Sequence, residues 1–211
     1  MPYPAAGLSE LAAAVLAAPP RLGQVRLVAV DGPSGAGKST FAAKLSAALG
    51  SATIISTDSF ATWADPVGWW PRLAEGVLEP LARGEPGHYV KLDWTSGTPE
   101  PGEHVTVPPP EILILEGVSA GRASVRPLLS ALVVLDGPGP AERLERAVRR
   151  DGEAARPHLE RWQEFERGWF AIDNALNPFG GERVGKRAGS LTQRDDIAPG
   201  CDSFTLYVAR S

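Results

Sequence analysis

Apolar positions along this chain come in two spacings, and the spacing changes at glycines and prolines. Val25-Arg26-Leu27-Val28-Ala29-Val30-Asp31, Glu111-Ile112-Leu113-Ile114-Leu115-Glu116 and Leu132-Val133-Val134-Leu135-Asp136 are nearly unbroken aliphatic runs of strand length. Such runs predict strands buried on both faces of a parallel sheet. A shorter run, Ala52-Thr53-Ile54-Ile55-Ser56, predicts another strand. After the first run the period lengthens. Phe41, Leu45 and Leu49 recur every four residues downstream of Lys38 and stop at Gly50, which predicts a helix with a glycine just past its end. Strand, helix and strand in this order make a right-handed βαβ unit, whose ligand sites lie beyond the carboxyl ends of the strands.

Residues 8–18, with Ser9 as a cap and Pro19-Pro20 as a stop, predict a leading helix. Residues 69–83 predict a helix closed by Gly84, and 89–94 a short extended piece followed by a polar loop over 95–110. Two further helices are predicted over 140–150 and 157–176 and a last strand over 204–208, while 177–202 has no helical period and reads as a long loop. The expected fold class is α/β: a three-layer P-loop NTPase-type arrangement with a mostly parallel sheet flanked by helices. A helical lid is expected at about residues 140–157, and 1–211 as one domain.

Composition narrows the function. With 43% hydrophobic and 22% charged residues and a net charge of -4, the chain is an ordinary folded one. It lacks the positive excess of a general nucleic-acid binder. One cysteine, Cys201, and three scattered histidines, His88, His104 and His158, make neither an intrachain disulfide nor a zinc cage. The apolar run at 11–18 is far shorter than the ~20 residues of a membrane span. A cytoplasmic protein with no membrane or nucleic-acid partner is expected.

The strongest chemical signal is Gly32-Pro33-Ser34-Gly35-Ala36-Gly37-Lys38-Ser39, followed by Thr40, set between a predicted strand and a predicted helix. This matches G-x-x-x-x-G-K-[ST] in the context the motif requires. Glycines let the backbone wrap with its N–H groups inward, the helix N-terminus adds positive potential, and Lys38 adds an ammonium, so the phosphates of ATP can be held. Ser39 can give its hydroxyl to Mg²⁺. A carboxylate at the end of a neighbouring strand completes such a metal site, and Glu116 is the best placed of Asp31, Asp58 and Glu116. No Asn-Lys-x-Asp or Thr-Lys-x-Asp guanine signature occurs, which disfavours a GTP switch. At this length a small-molecule kinase is the economical reading, and Asp58, just past the second strand, can take the proton of an acceptor hydroxyl.

Here the sequence resembles the uridine kinase family, with its relatives phosphoribulokinase and pantothenate kinase. The matching pieces run in order over 25–152: the phosphate motif, Thr57-Asp58-Ser59-Phe60, Leu92-Asp93-Trp94-Thr95, Ile114-Leu115-Glu116-Gly117-Val118, and Arg143 through Arg149-Arg150-Asp151-Gly152. The resemblance implies that Asp58 is the catalytic base, Glu116 the acid near Mg²⁺, and the late arginines a lid. At ~100° per residue, Arg143, Arg146 and Arg150 fall within about 60° of one another, opposite Leu144 and Val148. That stripe suits closure of Arg146 and Arg150 over the transferring group, and equally a solvated face paired with Glu142 and Glu145. Aligned on Asp93, the family's tyrosine position holds Leu92 and its base-reading histidine falls near Gly97.

Trp63, Trp69, Trp70 and Trp94 lie between the proposed base and the strand predicted over 111–116, where this family holds its acceptor. They suit a flat or apolar group, with Asp65 and Asp93 as candidate partners for hydroxyls beside Trp94. The sequence thus points to transfer of the ATP γ-phosphate to a small hydroxylated acceptor, a nucleoside first. Another alcohol, or a nucleotide-binding module with little turnover, are the alternatives.

Overall fold

The computed structural model describes residues 7–173 and 204–208. The loop expected at 177–202, Cys201 and the last residues of the helix expected over 157–176 lie outside the described residues. The aliphatic runs become four parallel strands: β1 (Arg26–Asp31), β2 (Thr53–Ser56), β5 (Ile112–Glu116) and β6 (Leu129–Leu135). With β7 (Phe204–Val208) antiparallel at one edge, the sheet runs β2-β5-β1-β6-β7. Every side chain of β5 and β6 is buried, as unbroken apolar runs require.

Alternate residues of these strands feed two cores. Val28 and Val30 face α1 (Leu8–Ala17) and α2 (Lys38–Ala48), where Leu11, Val15 and Phe41 pack and the Phe41 ring lies 5.5 Å from that of Phe204. Leu27 and Ala29 face the other way, onto α3 (Trp70–Leu73), α4 (Glu79–Ala82) and α6 (Arg156–Asp173), through Trp69, Leu73, Leu81 and Trp162. The expected three-layer α/β architecture is therefore present.

Two expectations change. The helix expected over 69–83 is split by a π turn at Ala74–Leu78. Pro80 has no N–H to offer the carbonyl of Gly76 four residues back, so the hydrogen-bond ladder shifts there. The loop expected over 95–110 contains β4 (Glu100–Val107), paired antiparallel with β3 (Gly87–Asp93). Six of its eight residues are exposed, and only Val105 and Val107 at its end alternate, too short a signal to announce it. α5 (Pro140–Asp151) follows β6 and crosses towards the phosphate motif.

Packing sets the scale of stability. Phe41→Ala, emptying a fully buried ring site, should lower unfolding free energy by about 3–5 kcal/mol in urea titration. Ile54→Ala, on the exposed face of edge strand β2, should cost under about 1 kcal/mol.

Candidate active site

β1, β5 and β2 are neighbours in register, with Glu116 beside both Val30 and Ser56. Their carboxyl ends therefore open side by side, and three functional segments start there. The first is the phosphate turn. Asp31 closes β1 completely buried, and its carboxylate accepts the amides of Gly32 at 2.7 Å, Ser119 at 3.0 Å and Gly121 at 2.8 Å. Burial outweighs those donors and pushes its pKa up to about 6. Gly32, Gly35 and Gly37 then adopt φ of 143°, 75° and 91°. A Cβ on Gly32 would strike the Leu135 carbonyl, and one on Gly35 the Arg143 backbone. The turn can take this shape only with glycine at those places. It hands directly into α2, with buried Ala36 and Lys38 below and Thr40 exposed in the first turn.

Lys38 is buried and folds back across the turn, donating to the Pro33 carbonyl at 3.0 Å. Ser39 donates its hydroxyl to Glu116 Oε1 at 3.1 Å. Burial pushes the Glu116 carboxyl up, while the nearby Lys38 ammonium pulls it back. A hydroxyl and a carboxylate in contact, beside a phosphate turn, are the hard oxygen donors that suit Mg²⁺ together with phosphate oxygens.

The second segment is Thr57–Ser59, a 3-10 turn directly after β2. Thr57 packs so tightly under Gly117 that a Cβ on the glycine would strike its side chain. Asp58 is left exposed, its amide on Ser56 Oγ and its carbonyl accepting the Trp94 indole N–H at 2.8 Å. It is close enough to raise the Glu116 carboxyl by repulsion.

Helices α5 and α6 supply the third side. Arg150 binds both oxygens of Asp151, at 2.6 and 2.7 Å, and Arg146 pairs with Glu142. Arg143 departs from the expected exposed stripe: it is buried against the phosphate turn, donating to the carbonyls of Ser34 and Pro138. Between these helices, the phosphate turn and the segment after β3 lies a cavity of about 530 Å³ lined by Ser34, Asp58, Trp63, Trp94, Arg150 and Trp162 among others. Trp63 is its hub. Trp94 and Trp162 meet it edge-on at 5.0 and 5.6 Å, and His158 stacks on it at 4.9 Å.

Of the residues expected to bind the acceptor, Trp94 lines this cavity. Asp65 and Asp93 are not among its lining residues. Asp65 accepts the Gly68 amide at 2.6 Å, and Asp93 accepts both the amide and the hydroxyl of Thr95, at 2.8 and 2.6 Å. Trp69 is core, and with Trp70 and Trp169 it surrounds the Arg122 guanidinium at 4.8–5.8 Å. Neither Arg122 nor Glu166 stands out in the sequence, and His158, one of three scattered histidines there, stacks on the cavity residue Trp63. Trp162 serves both packing and cavity. Glu166, one turn further along α6, is buried and accepts the Ser34 amide.

No protein-family model matches the chain. Inorganic pyrophosphatase TTM2 from Arabidopsis thaliana is 34% identical over 119 residues, which cover 53% of this chain. Those residues span only 18% of that relative's length. Among solved structures, a candidate fructose transport system kinase from Silicibacter sp. TM1040 superposes with a TM-score of 0.60 at 22% identity, over 80% of this chain and 95% of that one. A candidate uridine kinase from Bacillus stearothermophilus gives 0.50 at 21% identity, over 76% and 94%. The chain shares its α/β fold with these two structures. Within this frame, the strand order puts Lys38, Glu116 and Asp58 on three adjacent segments at the carboxyl ends of the strands.

Asp31 gives this site a pH signature. Because its pKa is raised from 3.8 to about 6 on folding, the native state binds the extra proton and stability falls as pH rises from 3.8 through 6. The Asp31→Asn variant cannot titrate. In urea titrations, the stability of the unaltered chain relative to this variant should therefore drop by up to about 3 kcal/mol between pH 4 and pH 7.

Proposed function

We propose that the protein transfers the γ-phosphate of ATP to a hydroxyl of a neutral, ring-bearing acceptor, a nucleoside first among them. The observation that carries this reading is the cavity that joins Asp58 and Arg150 to the indoles of Trp63, Trp94 and Trp162 right beside Ser34 of the phosphate turn. An acceptor resting on those indoles presents its hydroxyl between the carboxylate and the phosphate end of the nucleotide. Flat apolar walls bind such a group with large contact area and little entropy loss.

In the reaction, Asp58 takes the acceptor's proton as its oxygen bonds to the γ-phosphorus and the bond to the β-phosphate oxygen breaks, leaving ADP and the phosphorylated acceptor. The Lys38 ammonium exchanges the Pro33 carbonyl for phosphate oxygens, and the turn's amides hold them. Mg²⁺, held by Ser39 and Glu116 directly or through water, would supply charge neutralisation between the phosphates. Arg150, at the cavity wall, and Arg146, one turn earlier, close over the charge spread on the transferring group.

Charge supports a neutral acceptor. Among the described residues lining the cavity, Arg150 is the one cation, and Asp151 already occupies both its Nε and its Nη2. An anionic acceptor such as a sugar phosphate would enter a pocket that also holds Asp58 and Asp151, with repulsion unrelieved. An acceptor panel with labelled ATP tests this: neutral nucleosides should release ADP in an acceptor-dependent way, and sugar phosphates should not. Asp58→Asn, folded by circular dichroism, should lose about 10²–10⁴ of kcat with little change in nucleotide affinity. Nucleotide-dependent thermal stabilisation without acceptor-dependent ADP release would mark a binding module instead.

A further inference from the structure

Helix α6 reaches the phosphate turn at one residue. Glu166, only 2% exposed, accepts the Ser34 amide at 3.1 Å through one oxygen and 3.2 Å through the other, and it also accepts the Ser34 hydroxyl. The same serine is held from its other end: Arg143 of α5 donates to the Ser34 carbonyl at 3.1 Å. The guanidinium and the carboxylate lie 4.0 Å apart, so each offsets the buried charge of the other. Every polar group of Ser34 is thus taken by a side chain from a lid helix. Gly35, the next residue, lies against the Arg143 backbone with no room for a Cβ.

A turn in the middle of a phosphate motif does not need such holding in order to fold, since its glycines already permit the shape. It needs it in order to keep that shape with no ligand present, when the amides ahead of α2 are otherwise free to rotate. Preorganisation of this kind raises affinity by removing an ordering cost from the binding step. Glu166 is buried and neutralised by Arg143, so its influence on a nucleotide passes through Ser34.

We propose that Glu166 is a positioning residue for nucleotide binding, acting through its hydrogen bonds to Ser34. This rests on the kinase reading only in taking the turn for a nucleotide site, and its test needs no acceptor. Calorimetric titration of the full chain with Mg²⁺-ADP and Mg²⁺-ATP should show affinity for both reduced about tenfold in Glu166→Gln and in Ser34→Ala, the scale of one hydrogen bond to a charged group. The double variant should be no weaker than the worse single one, because both break one link. Thermal unfolding of Ser34→Ala, which removes only a hydroxyl from a partly exposed residue, should stay near that of the unaltered chain, separating positioning from loss of fold. Unchanged ADP and ATP affinity in folded Ser34→Ala and Glu166→Gln overturns the assignment alone, as does additive weakening in the double variant. Tighter ATP binding in Glu166→Gln also overturns it, making Glu166 a competitor of the γ-phosphate. Failure of the unaltered chain to bind either nucleotide overturns the kinase reading and this assignment with it.

Discussion

Around the phosphate turn, glycines let neighbouring segments approach with no room for a Cβ. Gly32 abuts the end of β6, Gly35 abuts α5, Gly137 abuts Ala36, and Gly117 abuts Thr57. Each contact joins a segment leaving one strand end to a segment leaving another. The site exists because these strand ends converge this closely, and a methyl group at any one contact would force a neighbouring segment away. Asp31 ties the same region from beneath, linking β1 to the segment after β5 through three amides.

That convergence explains why the functional groups can be short. Ser39 and Glu116 touch without long side chains, and Lys38 needs only to swing from a carbonyl to an anion. Charged groups at this edge are mostly engaged already: Arg143 with Ser34, Arg150 with Asp151, Arg146 with Glu142. Binding a phosphate would exchange partners and would not require bare charges to wait in a low-dielectric cleft.

Much of this was legible in the sequence. Unbroken aliphatic runs marked the parallel strands, and glycine spacing with a lysine and serine marked the turn, because both signals are local and steric. The position of Asp58 and Glu116 at the ends of β2 and β5 was legible because both follow aliphatic runs. The rest depended on contacts with no local signature. β4 is mostly exposed and its first five residues are polar residues, glycine and proline, so its pairing shows chiefly in its backbone bonds. Arg143 sits on a helix whose charge pattern suits a solvated stripe equally well, and only the turn lying on it decides its burial. Glu166 lies 132 residues from Ser34, and no periodicity links them. Asp65 and Asp93 could have been demoted on sequence grounds, since Asp followed at two or three residues by Thr or Gly favours a local turn in which the carboxylate is consumed.

The crossed indoles have a practical corollary. Trp63, Trp94 and Trp162 form one contiguous patch on the cavity wall, with Trp63 and Trp94 only partly buried. Anything that displaces solvent from that wall changes the polarity felt by several chromophores at once. The protein thereby carries its own optical reporter, and its native emission can follow occupancy of the cavity without a label.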